Sequence, residues 1–398
     1  VELLSRLRFI ILILAAGLLL APGCTRRFKL DREEASLNSA WPLYRDMPAS
    51  QASKPAGKFS GRLDIRWETR SNDKPAGPLT LAFNDLIYPG TRNKIKIYAL
   101  RDGSYLGYVK AGGNPQTGMA VEDSLGYFAV GPYHSQLKCI NLLRRKQLWD
   151  RPVKDAAAGS IIVKDLLIVG SGKTVTAFDR FSGKTIWSVT VDGRISAPAS
   201  FADGRLYQPS DDGTLYALEI KDGSELYRVK LDGPMVSAVA VGELVYATDM
   251  KGDVVGIDPG SGSIRWQTKL DGPIWTSPSV ENGSVYVGHS GGVLAAIDGS
   301  DGSVKWKYDA VDVIRASAIA VDDYVIFGTM SGKLYSLKRT DGSVVQTRQL
   351  KGAIAQAPVS DGDNVYVATD KGYILCFGES HEPGSQPDQR SDPLSQSQ

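Results

Sequence analysis

An all-β fold, an eight-bladed β-propeller of four-stranded antiparallel blades, is predicted by three features of this 398-residue sequence. The first is a repeat of about 40 residues, a period that signals a solenoid, propeller or array. Ala177-Phe178-Asp179 leads through Gly183 to Trp187, Gly256-Ile257-Asp258 through Gly262 to Trp266, and Ala296-Ile297-Asp298 through Gly302 to Trp306. The second is the number of copies. A small-residue column reads Ala99, Cys139, Ala177, Ala217, Gly256, Ala296, Ser336 and Cys376, in steps of 38 to 40 residues. The third is a phase shift at the two ends. Trp67 has no small-residue strand before it and Cys376 has no aromatic strand after it. Each end supplies what the other lacks, which predicts a ring closed by pairing the segment from Gly61 to Trp67 with Tyr373 to Phe377.

The chain divides in order. Arg6 and Arg8 precede an apolar run from Phe9 to Ala21, followed by Pro22, Gly23 and Cys24. A basic start, a short apolar run and small residues at the exit predict a secretory signal over residues 1–23. The run is too short to cross the ~30 Å hydrocarbon layer as a helix. Residues 24–58 contain Pro42, Pro48 and Pro55 with little periodicity and predict a tether, with a reach of ~30 Å if flexible. Residues 59–378 carry the repeat. Residues 379–398 are polar, with Pro383, Pro387 and Pro393, and predict a disordered tail too poor in apolar residues to fold alone.

Each repeat unit reads as strand and turn. In the sixth, Pro278-Ser279-Val280, Val285-Tyr286-Val287, Val293 to Ile297 and Val304-Lys305-Trp306 alternate with Asn282-Gly283, Ser290-Gly291-Gly292 and Asp301-Gly302. Four short β-prone runs separated by glycine turns describe one propeller blade. The aromatic column reads Trp67, an ambiguous second unit, Trp149, Trp187, Tyr227, Trp266 and Trp306, ending in Gln346. These tryptophans are expected to be structural docking residues. Asp179, Asp258 and Asp298 recur with the repeat and are expected to cap turns. Trp275 stands outside the column and is expected at the central channel or a loop face.

The Ala-x-Asp-x-x-x-Gly-x-x-x-Trp copies at 177–187 and 296–306 resemble the tryptophan-docking motif of the quinoprotein (PQQ-type) propellers. The resemblance covers roughly residues 59–378 and implies eight blades wedged together by tryptophan. It leaves the chemistry open, because quinone-dependent dehydrogenases and non-catalytic lipoproteins share this blade. Leu20 to Cys24 resembles a bacterial lipobox, with Ala21 where Leu is usual and Pro22 at an unusual site. It implies lipidation of Cys24, and Thr25 after it implies the outer membrane.

Other motifs are set aside on physical grounds. Gly288-His289-Ser290-Gly291-Gly292 matches a nucleophile elbow in letters, but that device needs a strand-to-helix turn. Gly172-Lys173-Thr174 lacks the first glycine of a phosphate loop, Leu167 standing there, and no helix follows. His134, His289 and His381 lie in separate regions without ligand spacing. Lys plus Arg number 46 against 44 Asp plus Glu, a balance that excludes nucleic-acid binding driven by a basic excess. Arg144-Arg145-Lys146 reads as a solvated turn. Cys139 and Cys376 sit in equivalent positions two blades apart, too distant for a disulfide.

Three functions remain. The preferred one is a non-catalytic, lipid-anchored scaffold on the periplasmic face of the outer membrane, similar to the propeller lipoproteins of β-barrel assembly. That resemblance implies a BamA-like barrel-assembly partner, no cofactor and no metal. The alternatives are a generic periplasmic or surface binding propeller and, less favoured, a quinone-dependent dehydrogenase. The latter needs long loops carrying calcium ligands, a catalytic Asp and often a Cys pair.

Overall fold

Eight antiparallel sheets are arranged as the blades of a closed propeller in the computed structural model, which describes residues 53–54, 59–131, 135–155 and 158–379. The predicted signal, Cys24, His134, His381 and the tail beyond Glu379 therefore lie outside the described residues. The blades occupy residues 80–110, 114–152, 160–190, 200–230, 240–269, 279–309, 319–349 and 359–377, the last completed by the strand Ile65–Arg70. In each blade the chain runs from the channel outward. First strands are short and buried, as in Ile319–Val321, and outer strands alternate between solvent and core, as in Ile264–Lys269. That alternation is the period-2 signature of a strand with one wet face.

Ring closure follows the predicted pairing with slightly different bounds. Ile65–Arg70 runs antiparallel to Tyr373–Phe377, with Trp67 opposite Cys376. Closure removes a sheet edge that would otherwise be exposed. Two sheets have a fifth strand: Asn114–Pro115 in blade two and Ser53–Lys54 in blade seven.

Local sequence explains the hairpins. Asp203-Gly204 and Asn282-Gly283 take positive φ at both residues, the geometry of the two-residue turn whose twist matches the flanking strands. Between third and fourth strands, Asp179 Oδ1 accepts from the Ser182 amide at 2.7 Å and Asp258 Oδ1 from the Ser261 amide at 2.8 Å. The Ser182 hydroxyl, with its amide, holds the Asp179 carboxyl below the ordinary range, and Arg265 at 2.6 Å, with Ser261, does the same at Asp258.

The core is divided among the seams. Eight apolar clusters lie between neighbouring blades. Between blades six and seven, Tyr286, Leu294 and Trp306 meet Ile314, Phe327 and Leu337. Burial of such side chains contributes about 1.5–3 kcal/mol each, so the ring is held by its seams.

Blade one corrects the small-residue column. Ile97, not Ala99, occupies the equivalent position. It pairs with Ile87 and Gly107, and the strand bulges after it as the others bulge after Cys139, Ala177 and Ala296. Gly107 stands where other blades place an aromatic ring, so nothing crowds residue 97 and a large side chain fits.

Candidate functional site

Two constellations stand out: the ring of docking aromatics and the channel mouth. The aromatics sit on outer strands and reach the next blade. The indole N–H groups of Trp67, Trp149, Trp187, Trp266 and Trp306 donate to the carbonyls of Leu100, Arg180, Ile220, Gly299 and Arg339 at 2.7–3.1 Å. Tyr227 repeats the contact through its hydroxyl to the Pro259 carbonyl at 3.0 Å. Beneath Trp266 lies Gly256, where a Cβ would come within 2.4 Å of the indole. This is why the paired column needs small residues. Cys139 and Cys376 fill the same slot under Trp149 and Trp67. Burial raises both thiols to about 12, which keeps them protonated and unreactive at neutral pH.

Two seams lack a docking aromatic altogether. At blade seven, Gln346 Oε1 accepts from the Leu63 amide at 2.8 Å, and Phe59 and Leu63 of the closing segment fill the seam core. At blade one, Gly107 leaves the place empty of a ring. The turn it faces carries Arg145 at φ +54°, where other blades have glycine. Arg145 is half-buried while Arg144 and Lys146 are exposed, so the basic turn is only partly solvated.

The channel mouth lies on the face formed by the inter-blade linkers and the second-to-third-strand hairpins. It opens into a cavity of about 240 Å³. One level of its wall is built from small or cyclic residues: Pro78, Gly118, Pro198, Ala238, Ser277, Ser317 and Ala357. Hydroxyls tie neighbouring inner strands together there. Thr80 Oγ1 donates to the Met119 carbonyl and Ser200 Oγ to the Val239 carbonyl, both at 2.7 Å.

Trp275 and Arg315 occupy equivalent positions in successive linkers at this mouth. The guanidinium carbon of Arg315 lies 4.8 Å from the Trp275 ring centroid, and the tryptophan is 41% exposed. On the same face Val311 is 87% exposed with φ +54°. A β-branched residue in the left-handed region is a true outlier, and backbone strain of this kind concentrates at functional sites. Val313 adds a further exposed apolar side chain.

Trp275 had a readable signal, its position outside the aromatic column. Arg315 and Val311 were missed. Their signal is a broken pattern: Val311-Asp312 stands where other linkers have Asp192-Gly193, Asp232-Gly233 and Asp271-Gly272.

The mouth does not suit a calcium-held quinone. No Asp, Glu, His or Cys lines it, and among the described residues no group of three such side chains could hold a metal ion. His289 sits in a hairpin, buried, its Nδ1 accepting from the Gly291 amide at 3.0 Å. It is a turn residue, and the set-aside elbow motif has a strand on both sides.

Eight blades, five of whose seams are closed by outer-strand tryptophans, define a propeller of the PQQ-type repeat class. Within that class the chain belongs to the outer membrane protein assembly factor BamB family, whose model matches residues 171–247 and 230–394, more than half of its length. A BamB of Nitrosomonas eutropha is 30% identical over 88 residues, covering 22% of this chain and 21% of that protein. The matched stretch thus spans about a fifth of that relative. Among solved structures, BamB from Moraxella catarrhalis matches with a TM-score of 0.71 at 16% identity, over 80% of this chain and 100% of that one. The quinohemoprotein alcohol dehydrogenase ADHIIG of Pseudomonas putida reaches 0.74 at 12% identity, over 88% and 82%. At such identities both likenesses speak to the fold alone.

Proposed function

We propose that this chain is a non-catalytic scaffold of outer-membrane β-barrel assembly, held on the periplasmic face of the outer membrane by lipid on Cys24 and docked on a BamA-like partner. The family match over residues 171–394 carries this reading. The channel mouth supports the choice of docking face. Tryptophan and arginine dominate binding hot spots, and Trp275, Arg315 and Val311 present both residue types with an apolar neighbour on one face. No catalytic residue and no cofactor are assigned. Short blades leave few residues for a pocket with convergent polar groups, and the mouth offers no carboxylate to a calcium ion.

The test is capture from native membranes. The unaltered protein should retain a BamA-like barrel-assembly protein, and Trp275→Ala should weaken capture at least tenfold with an unchanged melting curve. Cells lacking the protein should show lowered levels of outer-membrane barrels. Normal barrel levels with no such partner captured would favour the generic binding propeller. Tight stoichiometric binding of pyrroloquinoline quinone with calcium, and oxidation of alcohols or sugars, would favour the dehydrogenase.

A further inference from the structure

The sector of the mouth face that carries the linkers into blades eight and one holds cations without counter-ions. Arg70, Lys74, Lys94, Lys110, Lys351 and Lys371 are all exposed, and among the described residues none of the six forms an ion pair. They are neighbours. The Ser71 amide donates to the Gly372 carbonyl at 2.8 Å and the Thr91 amide to the Lys74 carbonyl at 3.1 Å, which joins the hairpins of blades eight and one through their linker. A Cβ on Gly352 would come within 2.6 Å of the Lys371 side chain, which brings Lys351 alongside.

The register shows how this sector differs from the others. In blade five Asp253 stands opposite Lys269, and the two pair at 3.0 Å. In blade one the same places hold Lys94 and Lys110, like charges directly opposed, which costs stability in a sheet. In blade eight they hold Tyr373 and Arg70. Rings stand where carboxylates are missing. Lys94 Nζ lies 4.4 Å from the Tyr108 centroid, and the Arg70 guanidinium carbon and Lys351 Nζ lie 5.1 and 5.4 Å from that of Tyr373. A ring face attracts a cation without neutralising it. The nearby carboxylates face elsewhere. Asp73 is buried, accepting from Thr91 Oγ1 at 2.7 Å with Arg92 at 4.0 Å, and Asp370 accepts from the Ala353 amide at 2.8 Å. The whole-chain balance of 46 Lys plus Arg to 44 Asp plus Glu conceals the patch.

We propose that this patch lies against an anionic phospholipid surface and sets the orientation of the ring on the membrane. Five of the six cations are lysines, point charges without the bidentate fork that fits arginine to a single phosphate or carboxylate. Spread over two linkers, two hairpins and two outer-strand ends, they match a diffuse sheet of negative charge better than one acidic side chain. Basic clusters of this kind are drawn to anionic headgroups, and an exposed tyrosine such as Tyr108 suits the lipid–water boundary. Anions at the patch also relieve the repulsion between Lys94 and Lys110. The membrane setting rests on the anchor proposed above, but this contact is a second one, made by the propeller itself.

Lysine acetylation of the full chain, mixed with vesicles of phosphatidylcholine or of phosphatidylglycerol, tests it, the sites being located by peptide mass spectrometry. Partner capture is read separately, so either reading can fail alone. With phosphatidylglycerol, Lys74, Lys94, Lys351 and Lys371 should react at least tenfold more slowly than with phosphatidylcholine. Lys221 and Lys338 on the opposite face should react alike in both, and molar salt should remove the difference. Equal rates at Lys74, Lys94, Lys351 and Lys371 in the two vesicles overturn the proposal. Lys94→Glu with Lys371→Glu should abolish the slowing at Lys74 and Lys351, whereas Lys221→Glu with Lys338→Glu should leave it. Equal loss in both double variants would mark a net-charge effect and overturns it too. Slowing that needs the barrel-assembly partner and not phosphatidylglycerol would assign the patch to an acidic polypeptide and overturn the lipid contact.

Discussion

The indole of Trp266 lies over Gly302 of the following blade, so close that a Cβ at residue 302 would come within 2.6 Å of its ring, while its N–H donates to the Gly299 carbonyl. Gly302 also takes φ +78°, so the turn both frees the ring's seat and presents the carbonyl. The same relation joins Trp67 to Gly103, Trp149 to Gly183 and Trp306 to Gly342. Each tryptophan therefore closes one apolar seam and fixes the turn of its neighbour.

Trp266→Ala and Trp306→Ala should each destabilise the ring by ~3–5 kcal/mol, the range for truncating a buried aromatic side chain. Gly302→Ala should cost ~1–3 kcal/mol by overpacking, on a turn that already disfavours an L side chain. Urea denaturation measures both. Retained stability with lost partner binding would instead make the tryptophan a surface contact.

Ring closure makes a separate demand on the N-terminal strand. Deleting residues 59–68 removes Trp67 opposite Cys376 and the Phe59 and Leu63 side chains that fill the seam between blades seven and eight. The truncated chain should aggregate or lose cooperative unfolding, because the edge Tyr373–Phe377 is then bare. Calorimetry and light scattering give the answer, and an unchanged melting curve would contradict the closure.

The blades that could be read from sequence are those whose pair of small residue and tryptophan is intact, as at Ala177 with Trp187 and Ala296 with Trp306. Blade one could not be placed correctly, because both members are exchanged: Ile97 is large where its partner Gly107 is absent as a side chain. A column defined by residue size slips by two positions in that situation. Gln346 breaks the aromatic column for a related reason. Its role is to receive the Leu63 amide, a contact 283 residues distant in sequence that no local pattern carries. The channel mouth was half-legible. Trp275 stood out of register, whereas Arg315 acquires meaning only once two successive linkers converge on the channel.

Acid should weaken the ring through His289. Burial holds its imidazole below the ordinary histidine value of 6.5, so the unfolded chain takes up the proton first as pH falls. The neutral side chain costs the fold nothing above about 6.5, and stability declines as pH drops from there towards the folded value. Asp249 holds the equivalent place in blade five, accepting from the Gly233 amide at 2.8 Å. His289→Asn keeps an acceptor without the titration. Urea midpoints at pH 7.5, 6.5 and 5.5 should fall more steeply for the unaltered protein than for this variant, and parallel curves would remove the role.

Anchoring is expected to rest on Cys24. Cys24→Ser should abolish lipid attachment and release a water-soluble propeller or leave an uncleaved precursor. Stable retention takes more than one acyl chain, so the unaltered protein should resist extraction by high salt. Membrane fractionation and mass spectrometry of the mature N-terminus read this out; an unmodified N-terminus beyond residue 24 removes the lipid from the account.

Val311 separates folding from function most cleanly. Its left-handed backbone costs roughly 1–2 kcal/mol for an L residue, and its side chain is almost fully in water, so little packing offsets that cost. Glycine relieves the strain but adds roughly 0.5–1 kcal/mol of unfolded-state entropy. Val311→Gly should therefore raise stability by about 0.5–1 kcal/mol. Asp312 should keep its place in the variant, since its Oδ2 accepts from the Ser331 amide at 2.8 Å and its Oδ1 from the Val313 amide. If the mouth face binds the partner, the same variant should lose affinity while gaining stability, because it deletes an exposed apolar contact and loosens the loop that presents it. Denaturation and capture measured on one preparation decide the matter. A variant that is more stable and binds as well as the unaltered chain would move the interface away from this linker.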